Sequence, residues 1–246
     1  FILIPPLFSY SITRRFSIVK HGRFAAPPHR LTRGGDTLAI KIFVDQGHNP
    51  SGPNTGAEGS GLLEQDVTYA VGVYLADLLR ADPRFEVRLS RSTPEEILGI
   101  SNATSLAERV RLANEWPADY FISIHCNANV NPAVNGTEVY VYRENTQAYW
   151  LAQHVLAGIV ARVGTRDNGV RVRPSLYVLR RTQMPAILVE LAYLTNTSDA
   201  MKLENDPFGF AQAFITVCSV IWTLNRIKQK TRGLLTSRSI FLNALY

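Results

Sequence analysis

Two cysteines in 246 residues are too few for a disulfide framework, so a hydrophobic core must hold the fold. Both Cys126 and Cys218 lie in apolar surroundings and read as small buried hydrophobes. No apolar run approaches the ~20 residues that a membrane-spanning helix needs. The opening stretch Phe1 to Phe8 is apolar but short, and Arg14 and Arg15 follow it. A secretory signal carries its positive charge first, so no convincing signal peptide is read here. Histidine is scarce, with five in the chain, and two of these, His21 and His29, fall within the first 36 residues. Internal repeats, low-complexity tracts and the compact His-Glu-x-x-His metal motif are all missing.

Acidic residues are almost missing from the two ends, and this explains a net charge of +6. Residues 1–36 carry six Lys/Arg and one acid, and residues 226–246 carry five Lys/Arg and none. Residues 37–225 hold 15 basic and 19 acidic side chains, a net of −4. Nucleic-acid binding calls for a basic patch on a folded face, and the body offers none. The ends are predicted to be basic, poorly ordered tails, the first marked by Pro5-Pro6, Pro27-Pro28 and Gly34-Gly35.

The body alternates strand and helix. Strands are predicted at 38–44, 85–89, 119–124, 138–142, 176–179 and 186–191. Helices are predicted at 62–79, where Val67, Val71, Tyr74, Leu75 and Leu78 form one apolar stripe, and at 148–163 and 208–224. A further helix opens on the capping-box pattern Ser105-Leu106-Ala107-Glu108 and ends near Trp116-Pro117. The expected fold is α/β: a single domain with a mostly parallel, twisted sheet of about six strands and helices on both faces.

Three short apolar runs each end in a side chain suited to metal or acid/base chemistry. They are Ile42-Phe43-Val44 leading to Asp45-Gln46-Gly47-His48, Tyr120 to Ile124 leading to His125, and Ala186 to Val189 leading to Glu190. Each reads as a strand buried on both faces, and ligands bind beyond the carboxyl ends of such strands. His48 follows a glycine in a sharp turn; standing alone it could be a surface histidine. His125 closes a core strand, where the alternative is an imidazole bonded to backbone. Glu64 shares the stripe of Val67 and Val71, whereas Asp66 and Glu58 do not. Exposed, it would be a helix-dipole carboxylate; buried, it needs a partner such as a cation. Glu190 interrupts an apolar strand, which calls either for an ion pair with Arg180 or Arg181 or for a raised pKa suited to a general base. Catalytic zinc takes three protein ligands of the His/His/Glu type and leaves one position to solvent. Cys126 adjoins His125 but points to the opposite face of its strand.

In order along the chain, Asp45-Gln46-Gly47-His48, Glu64-Gln65-Asp66, Ser123-Ile124-His125-Cys126-Asn127 and Pro185 to Glu190 resemble the zinc-dependent N-acetylmuramoyl-L-alanine amidases of bacterial peptidoglycan. Supporting blocks are Gly136-Thr137-Glu138-Val139-Tyr140, Tyr177-Val178-Leu179-Arg180 and Leu194-Thr195-Asn196. The likeness spans roughly residues 38–224. It implies Zn²⁺ held by His48, Glu64 and His125, with Glu190 as catalytic acid/base. It also implies hydrolysis of the amide joining the lactyl group of N-acetylmuramic acid to L-alanine, in the periplasm or cell wall, by a monomer. Departures are Asn49-Pro50 where glycines are common after the first histidine, Ala192 for a glycine, and Asn168 within Asp167-Asn168-Gly169; these bear on groove shape. Another zinc peptidase acting on stem peptides, or a silent wall-binding domain, are the competing readings; the silent domain predicts loss of at least one of the four residues. Arg109 and Arg111 are expected to brace a helix through ion pairs, with a role near substrate carboxylates as the alternative. Asn129 reads as a turn former, and Asn127 as either a turn former or a substrate contact.

Overall fold

The computed structural model describes residues 39–223; both predicted tails and the domain limits at 37 and 225 lie outside them. Along the chain run β1 (Ile40–Gln46), β2 (Glu58–Gly59), β3 (Leu62–Leu63), α1 (Glu64–Arg80), β4 (Phe85–Leu89), α2 (Asn102–Glu115) and β5 (Tyr120–Asn127). Then follow β6 (Thr137–Val141), α3 (Gln147–Val163), β7 (Asp167–Val172), α4 (Tyr177–Arg181), β8 (Ala186–Tyr193) and α5 (Thr197–Asn205). A last helix, α6, covers 207–223.

Six strands form one sheet in the order β4-β1-β5-β8-β6-β7. The pairs β4/β1, β1/β5, β5/β8 and β6/β7 are parallel, and β6 runs antiparallel to β8. The expected six-stranded, mostly parallel sheet is therefore what the chain builds. Alternation along each strand sends side chains to two cores. On one face Ile42, Val44, Ile122, Ile124, Ile187 and Val189 meet α1, α3, α5 and α6. On the other, Phe43, Phe121, Ala186 and Leu188 meet Val110 and Ala113 of α2 and Val178 and Leu179 of α4. Phe43 and Phe121 stack there at 5.7 Å between centroids. Burial of each such side chain contributes about 1.5–3 kcal/mol.

Four local expectations need correction. The predicted strand at 176–179 is helix α4: Val178 and Leu179 are adjacent, yet both enter the same core, which a strand cannot arrange. Helix α1 starts at Glu64, because Leu62–Leu63 instead pair with Glu58–Gly59 across a turn whose central residues, Ser60 and Gly61, both have positive φ. The cap of α2 is Ser101, which exchanges bonds with Thr104; Ser105 is a buried residue inside the helix. Strand β7 was not foreseen. It is a sheet edge with little buried surface, so no hydrophobic period marks it.

Candidate functional site

The carboxyl ends of β1, β5 and β8 meet at one edge of the sheet. Gly47 leaves β1 and its N–H bonds to Ile124 O at 2.9 Å, drawing the turn against β5. A Cβ on Gly47 would lie 2.5 Å from His125 Cε1, so only glycine lets the turn approach this closely. His48 then takes a left-handed backbone, φ 69°. Its Nδ1 lies 3.2 Å from the carbonyl of Asn54. A carbonyl only accepts, so this contact puts the proton on Nδ1 and leaves the Nε2 lone pair for the site.

Three donors converge there. His48 Nε2 and His125 Nδ1 are 3.1 Å apart, and each lies 3.0 Å from Glu64 Oε1. Ligands about 2.1 Å from a tetrahedral ion stand about 3.4 Å from one another, so a few tenths of an ångström of outward movement would admit one. The residues fit a metal ion by their chemistry as well, since two imidazoles and a carboxylate form a mixed nitrogen and oxygen donor set. Glu64 is 4% exposed, which removes the dipole-only reading. Its Oε1 accepts from Cys126 N at 3.0 Å and its Oε2 from Ala57 N at 2.9 Å. Burial opposes its ionisation, but hydrogen bonds and charge from His125 and His48 outweigh this and hold the carboxyl far below its usual range. His125 faces these partners and not backbone, so it is no ordinary core histidine. The Cys126 thiol is buried in the first core with its pKa raised by desolvation, and it stands apart from the cluster.

Glu190 is the register partner of His125 on one side and of Glu138 on the other. Its Oε2 is buried without a hydrogen-bond partner among the described residues. Desolvation, followed by the charges of Glu64 and Glu138, pushes its carboxyl well above the usual range. Neither Arg180 nor Arg181 pairs with it among the described residues; Arg180 lies over the ring of Tyr177.

Arg109 forms an ion pair as expected, and its partner lies on the sheet and not on its own helix. It is fully buried, 2.6 Å from Asp45 Oδ1, and donates to His48 O at 2.7 Å and Asn49 Oδ1 at 3.2 Å. Arg111 does pair within the helix, with Glu108 and Glu115. Asn49, a departure noted in the sequence, clamps the same loop through Pro53 O and Leu98 O. Asn129 caps a turn at Asn131 N, and His154 is an exposed helix residue against Trp150.

The family described as N-acetylmuramoyl-L-alanine amidase matches residues 42–216. The chain belongs to this amidase family. LytC of Bacillus subtilis, an N-acetylmuramoyl-L-alanine amidase, is 39% identical over 168 residues, 66% of this chain. The chain spans about a third of that relative's length, 31%. CwlM of Bacillus licheniformis, also an N-acetylmuramoyl-L-alanine amidase, is 36% identical over 71% of this chain and 69% of its own. Among solved structures, the N-acetylmuramoyl-L-alanine amidase from Clostridium difficile 630 is 33% identical, covers 76% of this chain and 97% of its own, and has a TM-score of 0.65.

His48, Glu64, His125 and Glu190 all fall inside the family's matched segment. Sequence reasoning missed Glu138, which is 3% exposed and collects Asn127 Nδ2 at 2.5 Å, Tyr193 OH at 3.2 Å and Arg171 Nε at 2.8 Å. Its signal was an acid within the strand Thr137–Val141, on the face of its register partner Glu190. Asn127, left open between two roles, belongs to this network.

Proposed function

We propose that the domain is a zinc-dependent N-acetylmuramoyl-L-alanine amidase acting on peptidoglycan outside the cytoplasm. The observation that carries this reading is the meeting of His48, Glu64 and His125, with ligand atoms within 4.8 Å of one another, beside a buried carboxylate. His/His/Glu is a donor set of zinc hydrolases. Bound zinc supplies a Lewis acid that polarises the lactyl carbonyl and acidifies water. Among the described residues no helix is long and apolar enough to cross a membrane, in keeping with a domain that works on the wall.

The remaining chemistry falls to the chain itself. Glu64 is held by backbone N–H groups of Ala57 and Cys126, which fix its carboxylate in the cluster. Glu190 presents Oε2 as an acceptor with no competing donor among the described residues. As water adds to the lactyl carbon, Glu190 takes one of its protons. As the C–N bond breaks, Glu190 returns that proton to the alanine nitrogen, giving a lactyl acid and a free amine. A carboxyl raised by burial suits both halves, because it retains the proton until the amine needs it.

Glu190→Gln tests the assignment. With zinc loaded, release of new N-terminal alanine from purified walls should fall by about 10²–10⁴-fold while zinc content is unchanged. Undiminished turnover would remove Glu190 from the reaction. Release of amines other than alanine would favour a stem-peptide peptidase.

A further inference from the structure

The sheet face that bears Glu190 continues past it onto β6 and β7, where its side chains meet solvent. Alternation and register place Glu138 and Tyr140 of β6 and Arg171 of β7 on that face, with Tyr142 and Arg173 following in step. The second core fills the face over β1, β5 and the start of β8. Beyond it Tyr142 is 43% exposed and the Arg171 side chain 50% exposed, and Arg173 is exposed. Glu138 joins this strip to the proposed catalytic carboxylate, while Tyr140 and Arg171 lie level with Leu188, two residues before Glu190 on β8.

Its cations are held in place. Arg171 Nε sits 2.8 Å from the buried Oε2 of Glu138, while Nη2 reaches Asn168 O only at 3.4 Å. Arg173 donates its backbone N–H to Val141 O, and its guanidinium lies 5.6 Å from the centroid of the Tyr140 ring. Two guanidinium groups against one buried, already bonded carboxylate leave the strip positive. A fixed planar fork is suited to a carboxylate, which it can bind through two parallel hydrogen bonds.

We propose that Arg171 and Arg173 form a carboxylate subsite that receives the acidic peptide arm of the substrate. This rests on the amidase reading above. Strands lie about 4.8 Å apart and residues along a strand about 3.3 Å. The register sets Arg171 level with Leu188, two residues from Glu190, so the two backbones are about 12 Å apart. The Arg171 side chain reaches back to Glu138, the register partner of Glu190, so a peptide cut beside Glu190 and laid across β6 brings its second or third residue to that guanidinium. A free carboxylate on the residue after L-alanine is the group that would meet them.

Two soluble muropeptides that differ only in whether that carboxylate is free or amidated test the assignment. The zinc-loaded enzyme should cleave the acid with about tenfold higher kcat/KM, carried mostly by KM, as expected for one charge-assisted pair. Arg171→Gln and Arg173→Gln should each lower the rate on the acid and spare the amide, shrinking the preference toward unity. Arg171→Lys, which keeps a charge beside Glu138, should retain part of it. Among the described residues Arg173 pairs with no buried carboxylate, so its variant decides the matter if Arg171→Gln fails to fold. Equal losses on both substrates, or no preference in the parent enzyme, would overturn the subsite. Calorimetric binding of both muropeptides to zinc-loaded Glu190→Gln separates the two readings. Arginine-dependent preference in binding without cleavage by the parent would uphold the subsite and reject the amidase; cleavage without preference would do the reverse.

Discussion

Asp45 and Arg109 form an ion pair in which each side chain is 1% exposed, and the same guanidinium holds the carbonyl of His48. The pair thus joins the core of the sheet to the backbone of a proposed metal ligand. Arg109→Met should cost about 3–5 kcal/mol, because Asp45 is left charged and uncompensated in the interior. Zinc affinity should drop by about 10–100-fold as the His48 turn loses its anchor. Urea unfolding and chelator-competition titration measure the two effects separately. A variant as stable as the parent would mean that water or a shifted side chain takes over for the guanidinium.

Acid should act through the same pair. Burial raises the pKa of Asp45, but the charge of Arg109 and hydrogen bonds from Ser123 and Arg109 more than offset this and lower it below 3.8. A carboxyl depressed in the folded state contributes stability above its unfolded value and loses that contribution as pH falls through the folded one. The loss therefore begins near 3.8 and continues below it. Asp45→Asn should be less stable than the parent at neutral pH and show a shallower decline in this acid window. Urea midpoints taken stepwise from about pH 5 downward would check this; parallel curves would show that other carboxylates govern acid unfolding.

Three of the four groups that could be read in advance share one property: each ended or interrupted a strand buried on both faces. His125 and Glu190 stand out because they break apolar runs, and parallel pairing of β5 with β8 makes them neighbours. Glu64 stood on a helical stripe whose buried side is fixed by Val67 and Val71. The ion pair of Arg109 was expected, but its partner could not be named because Asp45 lies 64 residues away. Glu138 and Arg171 escaped for a different reason. Edge strand β7 has no hydrophobic period, and without it the pairing that draws Arg171 to Glu138 could not be foreseen. Strand and helix are also indistinguishable over a run as short as 176–179, where only the destination of Val178 and Leu179 decides.

The revised start of α2 separates two serines four residues apart. Ser101→Ala removes the oxygen that accepts from Thr104 N at 3.2 Å and should cost about 1 kcal/mol, with zinc affinity unchanged. Ser105→Ala instead deprives Asn54 Nδ2 of its acceptor at 3.0 Å, and Asn54 is the residue whose carbonyl faces His48 Nδ1. It should disturb zinc binding as well as stability. Had Ser105 been the cap, the two variants would exchange phenotypes.

Gly47 offers the most direct test of how tightly the cluster is built. In Gly47→Ala the new methyl would lie 2.5 Å from His125 Cε1 and 2.6 Å from both His125 Nε2 and Ile124 O. The imidazole could rotate away, but the carbonyl belongs to a central strand and cannot move without breaking its bond to Gly47 N and parting β5 from the end of β1. Overpacking of this kind costs about 1–3 kcal/mol, and here the strain falls on a proposed ligand. Zinc affinity should fall by about 10–100-fold, as when a group that orients a ligand is disturbed. Because Glu190 is untouched, saturating zinc should recover part of the activity of Gly47→Ala and none of that of Glu190→Gln. Wild-type zinc affinity in Gly47→Ala would show that His125 can yield without leaving the metal, and the turn's close approach would then serve packing alone.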